Sequence, residues 1–363
     1  MNPEPGAFRD PRLARKLVAE IDELAEGRQA TFMEVCGTHT VAIARSGLKS
    51  MLPASVRLVS GPGCPVCVTP QGEIERSISA ARLPGVILAT FGDMIRVPGS
   101  AGSLEAARSE GRDVRVLFSP RDALNLAEEN PGRQVVFVGV GFETTIPGFC
   151  AALREARERG IGNLSVLNSF RLVPPALRVV LEHGPGVDGF ILPGHVSAIL
   201  GTAPYGFLAE AGRSAVVAGF EPVDVLLAIR MLLRQEAEDR RTVEVAYRRA
   251  VRPEGNPAAR RLIEETLETA DAGWRGLGVL PASGLRFRKG FADFDAGRRF
   301  DLETPEAPEP AGCRCAEVLL GKLGPRDCGL FGGRCTPEDP VGPCMVSSEG
   351  SCAAEYRYGQ TED

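Results

Sequence analysis

The sequence predicts an α/β protein: two Rossmann-like domains built on parallel sheets that face each other across a cleft, then a mixed α+β region ending in a cysteine-rich tail. Three observations predict it. Short Val/Ile/Leu/Phe runs alternate with longer helical patterns from residue 30 to about 245. Parallel strands covered by crossover helices on both faces read as such unbroken apolar runs. Polar and reactive residues gather directly after the runs, at the sheet edge where open α/β folds bind their ligands. Finally, six of the ten cysteines fall in roughly the last fifty residues, behind a proline-rich stretch.

Residues 12–27 form the first element, an amphipathic helix with Leu13, Leu17, Ile21 and Leu24 on one face. Eight runs then read as strands: Thr31–Val35, Val56–Val59, Val86–Ala89, Val114–Phe118, Val135–Val140, Leu164–Leu167, Gly189–Leu192 and Ala215–Val217. Eight strands fit two sheets better than one. Asn130-Pro131-Gly132 is a turn signal before the strongly apolar fifth run, and the expected domain boundary falls there. This gives domains of 1–132 and 133–245, with a C-terminal region of 246–363. From residue 243 the pattern changes, and a strand is expected at Val243–Tyr247 across that boundary, then a helix at Pro257–Thr269 and one or two strands within Trp274–Phe287. Glu303 to Pro310 then reads as a polar extended linker.

Composition limits the function. A formal charge of −5 and a pI near 5.6 argue against a polyanion-binding surface, so nucleic acid is not an expected partner. The start, Met1 to Pro5 and a charged helical pattern, lacks an apolar signal-type core, and no later run is long enough to cross a bilayer. The expected location is cytoplasmic, without membrane contact. Ten cysteines in a reducing compartment point to metal or redox work rather than a disulfide scaffold.

The second strand run leads into Ser60-Gly61-Pro62-Gly63-Cys64-Pro65-Val66-Cys67, two thiols on a turn stiffened by proline and opened by glycine. Pro70 and Gly72 follow so closely that a helix is expected to begin near Thr69 or Gln71, not at Cys64. The first strand run ends in a similar loop, Cys36-Gly37-Thr38-His39-Thr40, with Cys36 and His39 three apart where a helix starts. A thiolate there gains from the helix dipole, and with the imidazole it suits a soft or borderline metal such as iron. A packed or capping role for His39 is the plain alternative. Two cysteine loops at two strand ends point to one shared site.

The tail reads C-x-C-x12-C-x6-C-x8-C-x7-C, through Cys313, Cys315, Cys328, Cys335, Cys344 and Cys352. Structural zinc sites usually pair their ligands as C-x2-4-C, a spacing this tail lacks. Four loop thiolates fit an iron-sulfur cluster better, and the remaining two could cycle between dithiol and disulfide. A zinc-stapled tail is the alternative. Glu143 in Gly-Phe-Glu-Thr-Thr and His195 in Pro-Gly-His-Val-Ser face the cleft by position, as do Asp93 and Arg96, with core or capping roles equally open. Cys150 reads as helix packing. Gly139-Val140-Gly141 lacks the third glycine of a dinucleotide fingerprint, and no Walker lysine follows any glycine loop.

Together, Cys36 to Thr40, Gly61 to Cys67, Gly141 to Thr145, Pro193 to Ser197 and Cys344 to Cys352 resemble the HypD family of NiFe-hydrogenase maturation factors, over nearly the whole chain. The resemblance implies a scaffold, rather than a turnover enzyme, on which the Fe(CN)2CO group is assembled. The partners it implies are a HypC-type chaperone sharing the iron, a HypE-type cyanide donor and an electron donor. Carried over by residue, Cys36 is the implied iron ligand with His39 close by, and Cys64 with Cys67 a redox-active pair. Cys313, Cys328, Cys335 and Cys352 are the implied ligands of a 4Fe-4S cluster, leaving Cys315 and Cys344 as a second redox pair. Electrons would pass from the cluster through Cys315/Cys344 to Cys64/Cys67 and then to the iron at Cys36. Two other classes compete with this reading: a free-standing thiol-disulfide oxidoreductase and a zinc-stapled binding module.

Overall fold

A computed structural model describes residues 8–184 and 186–359, so the Met1–Pro5 start discussed above lies outside the described residues. All eight apolar runs are strands: β1 Ala30–Glu34, β2 Val56–Ser60, β3 Val86–Thr90, β4 Val114–Val116, β5 Gln134–Gly141, β6 Leu164–Phe170, β7 Gly189–Pro193 and β8 Ser214–Ala218. A ninth, β9 Val243–Val245, follows where expected. They form two parallel sheets, ordered β2-β1-β7-β8-β9 and β4-β3-β5-β6. Both faces of each sheet carry helices, which is why β3, β7 and β8 are buried along their whole length.

The sheets are not consecutive halves. The chain lays down β1 and β2, builds the second sheet from β3 to β6, and returns to complete the first with β7 to β9. The turn at residues 130–132, expected to divide the domains, sits inside the second sheet, where β3 pairs with β5 across it from Val86↔Gln134 to Ala89↔Phe137. A wholly apolar strand such as β3 must be flanked on both sides, and β4 and β5 are the strands that flank it. A turn signal marks a helix-to-strand junction; it does not reveal which sheet the next strand joins.

Three apolar clusters follow from this layout. One packs the helix Pro11–Ala25, through Leu17, Ile21 and Ala25, with Phe32 of β1 and Leu226 and Ile229 of the helix Pro222–Ala237. A second lies on the other sheet and centres on Phe137, Phe149 and Phe170. The largest runs between the sheets and takes in Val35, Cys64, Cys67, Val138, Leu192, Tyr205, Trp274, Cys315 and Cys344, so both groups of cysteines share one core.

In the C-terminal region the helix Pro257–Thr266 stops three residues earlier than the periodicity predicts, because Leu267 starts strand β10 (Leu267–Trp274) by pairing with Phe287 of β11 (Gly278–Phe287). The hairpin they form is antiparallel. Residues 302–310 have no regular structure, as the linker composition predicts, and the Pro305 carbonyl lies where a Cβ on Gly72 would approach it to 2.2 Å. Among the described residues no helix is long and apolar enough to cross a membrane.

Phe149 is 1% exposed, with ring centroids 4.9 Å from Phe137 and 5.0 Å from Phe170. Phe149→Ala is expected to cost about 3–5 kcal/mol, read as a lower denaturant midpoint at unchanged m-value.

Candidate functional site

Strands β1 and β2 are neighbours in register, Glu34 opposite Ser60, so the loops that leave them start side by side. Gly61 N–H donates to the Glu34 carbonyl at 2.7 Å, and Gly37 N–H donates to the Gly63 carbonyl at 2.9 Å. Contact at Gly63 is closest: a Cβ there would stand 2.2 Å from the Cys36 nitrogen and 2.4 Å from the Val35 carbonyl carbon. Only glycine lets the two loops meet backbone to backbone. Gly63→Ala is therefore expected to force the loops apart, lowering thermal stability and raising the rate at which alkylating reagents reach Cys36.

Cys64 and Cys67 are joined as a disulfide, and both are buried, at 3% and 0% exposure. The Cys67 N–H donates to Cys64 Sγ at 3.2 Å. The helix after them starts at Gln71, within the expected window.

Cys36 occupies the N-cap position of the helix Gly37–Arg45, and its side chain makes no capping hydrogen bond. Burial, then the charge of Glu349 and that of Glu34, push its thiol up to about 12, with the His39 backbone and Thr38 acting the other way. Glu34 is fully buried beneath the loop. Its carboxylate accepts the Cys36 N–H at 3.1 Å and the Thr40 hydroxyl at 2.5 Å, and burial raises its pKa to about 7.

His39 is buried, as a core reading of its sequence position also allowed. Its Nε2 lies 2.9 Å from the Gly219 carbonyl and its ring stacks on Phe220 at 4.7 Å. With Nε2–H donated to that carbonyl the ring is in the tautomer that leaves Nδ1 bare, an assignment made from the partner. Nδ1 has no hydrogen-bond partner, and burial lowers the pKa to about 4, so His39 is a neutral imidazole with a free lone pair. His195 stacks on the same Phe220 ring at 3.9 Å but is exposed.

The tail reaches this site through residues that single-sequence reading leaves unassigned. Glu349 accepts the Thr38 hydroxyl at 2.5 Å and lies against Gly37. Asp93 fastens the same segment by accepting from the Ser347 hydroxyl at 2.9 Å and from Ser348 N–H at 3.0 Å, while Arg96 donates to the carbonyls of Pro337 at 2.6 Å and Glu338 at 3.2 Å. Asp93 and Arg96, cleft-facing by position, are thus anchors for the tail. Arg275, 1% exposed, is another tie: its Nε donates to the Thr69 carbonyl at 2.9 Å, its Nη2 to Gln71 Oε1 at 3.2 Å, and a third bond goes to Glu309.

All six tail cysteines line one pocket with Leu330, Phe331 and Met345. Cys344 shares hydrogen bonds with Cys315 and Cys352, which with burial hold its thiol well above the ordinary range; the same Cys344 contact, with Arg275 nearby, lowers Cys315. Burial and then Cys315 push Cys313 up to about 12. The Val341 N–H donates to Cys335 Sγ at 3.3 Å. Among the described residues no group of three or more His, Cys, Asp or Glu side chains is set at metal-holding geometry. The donor set, six sulfurs in an apolar pocket with a backbone N–H on one of them, is of the kind that suits an iron-sulfur cluster.

Of the remaining candidates, Cys150 is buried helix packing as expected, and Gly139 and Gly141 serve close contacts with Val166, Phe170 and Thr145. Glu143 is 1% exposed at the end of β5; its Oε1 accepts the Val173 N–H at 3.0 Å and its Oε2 has no partner. Burial pushes its pKa up to about 7. Between the unfolded carboxyl value, about 4.3, and 7, the folded state keeps a proton that the unfolded state releases, so stability falls as pH rises through that window. Glu143→Gln is expected to flatten this part of the pH dependence, measured as denaturant midpoints at pH 5 and pH 7.5.

Three residues here were not singled out from sequence. Glu34 leaves a signal, an acid inside the apolar run before Cys36. Glu349 lies within the Cys344–Cys352 segment already marked by its cysteines. Arg275 leaves none.

Comparison with known proteins gives the family. The family model HypD, described as "Hydrogenase formation hypA family", matches residues 12–359. The chain is 49% identical to the hydrogenase expression/formation protein HupD of Azotobacter chroococcum, covering 97% of this chain and 96% of that one. It is 47% identical to the hydrogenase maturation factor HypD2 of Bradyrhizobium diazoefficiens, over 98% and 97% of the two chains. It is 43% identical to the hydrogenase maturation factor HypD of Escherichia coli, over 98% of each. On a match of this extent, the chain belongs to the HypD family of hydrogenase maturation factors.

Proposed function

We propose that this chain is the scaffold on which the Fe(CN)2CO group of NiFe-hydrogenase is assembled, with a HypC-type chaperone sharing the iron and a HypE-type protein donating cyanide. The observation that carries the reading is the meeting of the Cys36 loop and the Cys64–Cys67 disulfide backbone to backbone at Gly63, with Glu349 of the tail laid over the start of the Cys36 helix. A metal-binding thiolate and a two-electron couple so placed can serve one substrate. Such work is cytoplasmic and needs no membrane or nucleic acid.

In this reading Cys36 is the protein's ligand to the incoming iron, and the bare Nδ1 of His39 is a second donor beside it. The thiol gives up its proton on binding; a metal makes that favourable in spite of burial. Cys313, Cys328, Cys335 and Cys352 would hold a 4Fe-4S cluster, which when bound supplies one-electron chemistry. Cys315 and Cys344, already hydrogen-bonded, form the second dithiol. Exchange between the two pairs balances: Cys315 and Cys344 are oxidised to a disulfide while Cys64–Cys67 takes up two electrons and two protons to become two thiols. The reduced pair then faces the iron site. Arg275 and the Val68–Gln71 segment join the two pairs, since the Arg275 N–H also donates to the Val68 carbonyl at 2.8 Å.

The formed disulfide also favours a second reading, a free-standing thiol-disulfide oxidoreductase. The burial of both sulfurs speaks against it, because a reductant of protein disulfides must offer an exposed sulfur.

Two measurements test the proposal. In a complex purified with the HypC-type partner, Cys36→Ala is expected to abolish the infrared bands of bound cyanide and carbon monoxide; bands of undiminished intensity would remove Cys36 from its role. Protein purified without oxygen should contain iron and acid-labile sulfide that disappear in a Cys328→Ser/Cys335→Ser variant. Zinc in their place would establish the stapled tail instead.

A further inference from the structure

Cys64, Cys67, Cys315 and Cys344 belong to one apolar cluster, and none is more than 4% exposed. External thiols are shut out from sulfurs buried in this way, so exchange with the Cys64–Cys67 disulfide falls to a thiol already inside the core. The packing of backbone against backbone then sets how the two pairs stand to each other.

The tip of the β10–β11 hairpin touches both. Trp274 pairs with Gly278, and the loop between them closes with the Leu277 N–H donated to the Trp274 carbonyl at 3.0 Å. Gly276 takes the left-handed backbone of this turn, at φ +71°. Its neighbour Arg275 donates its backbone N–H to the carbonyl of Val68, the residue after Cys67, at 2.8 Å. Gly276 itself lies against Ala316, the residue after Cys315: a Cβ on the glycine would stand 1.9 Å from the Ala316 Cβ and 2.9 Å from its Cα. The tip is anchored, because Trp274 is 1% exposed, stacks on Phe142 with ring centroids 6.0 Å apart and donates its indole N–H to Ser283.

The far end of the same short helix, Cys315–Leu319, is seated too. Just beyond it Gly321, at φ +70°, lies against the strand ends that deliver the other cysteines. A Cβ there would approach Met33 Cε of β1 to 2.7 Å, and Val59 Cγ2 and the Ser60 carbonyl oxygen of β2 to 3.2 and 3.4 Å. The helix that begins at Cys315 is thus wedged between the hairpin tip and the end of β2, and the Cys64–Cys67 loop follows β2 directly.

We propose that the hairpin tip, through Gly276, is a positioning element that seats the Cys315 helix for exchange with the Cys64–Cys67 disulfide. This rests on the reading of the two pairs as exchange partners. In the exchange one tail sulfur, as thiolate, attacks one sulfur of the disulfide; that S–S bond breaks, a mixed disulfide forms, and the released thiolate takes up a proton. The other tail sulfur then gives up its proton and attacks the mixed disulfide, which leaves a tail disulfide and two thiols at Cys64 and Cys67. Neither pair diffuses to the other inside a core, so alignment governs the rate, and a misplacement of about 1 Å costs on the order of a hundredfold.

The test uses the full chain with one thiol left in each pair, Cys64→Ser or Cys67→Ser combined with Cys315→Ser or Cys344→Ser. Each variant is purified without oxygen and treated with one equivalent of diamide, and the disulfide linking the loop to the tail is timed by acid quench, alkylation and mass spectrometry. At least one of the four combinations should form that link. Adding Gly276→Ala is expected to slow it on the order of a hundredfold, and adding Ala316→Gly as well, which removes the opposing Cβ, is expected to restore most of the rate. Should Gly276→Ala not fold, Ala316→Val presses on the same contact from the helix side and carries the same expectation. A folded Gly276→Ala or Ala316→Val protein that links at the unaltered rate, or a loss in Gly276→Ala that Ala316→Gly does not relieve, would overturn the role of the tip and leave the exchange standing. If no combination forms the link with the tip unaltered, the reading of the two pairs as exchange partners fails, and this inference with it.

Discussion

The arrangement depends on a single close approach, the Gly63 backbone against the backbone of Cys36. Parallel pairing of β1 with β2 brings the two strand ends level, but level ends alone would leave room for side chains between the loops. The missing Cβ removes that room. Once the loops touch, the disulfide, the Cys36 thiol and the buried carboxylate of Glu34 share one low-dielectric compartment, and burial sets the behaviour of each. A thiol under these conditions stays protonated and is not an exposed nucleophile.

The tail is held by polar contacts where the sheets are held by apolar ones. Asp93 on the Ser347–Ser348 turn, Arg96 on two carbonyls, Glu349 on Thr38 and Arg275 on the Val68–Gln71 segment are all side-chain contacts to residues far away in sequence. The Arg275 bonds are buried and the others part-buried or at the surface; directional bonds of this sort fix the position of the tail more sharply than an apolar contact of similar area would, and the buried ones are costly to leave unmade. The six cysteines gain a defined place relative to the disulfide without any strand pairing between tail and sheets. Glu349 brings a carboxylate next to Cys36 and raises the thiol further, so docking of the tail and the state of the Cys36 thiol are coupled.

Most buried polar groups of the scaffold close on one another: Asp224 takes a two-point bond from Arg249, and the Trp274 indole donates to Ser283 at 2.9 Å. His39 Nδ1 and Glu143 Oε2 are buried without a hydrogen-bond partner, as are side-chain atoms of Ser165, Gln235 and Arg260, so an unpaired atom by itself does not mark a site. What sets His39 apart is its position three residues after Cys36 at the start of the helix Gly37–Arg45.

Sequence by itself determined every strand of the two sheets, the start of the helix after the Cys64–Cys67 loop, the packing role of Cys150 and the placing of two cysteine loops at two strand ends. Local chemistry carries these: an apolar run reports burial on both faces, and proline and glycine report where a helix is unable to begin. Tertiary structure alone decided that β3 to β6 form an inserted sheet, since strand order depends on which apolar edges meet and a turn at residues 130–132 has the same composition either way. It alone brought Arg275 and Glu349 to the cysteine loops. An isolated arginine or glutamate has no periodicity and no spacing rule, so its meaning rests on distant residues that only the folded chain places beside it.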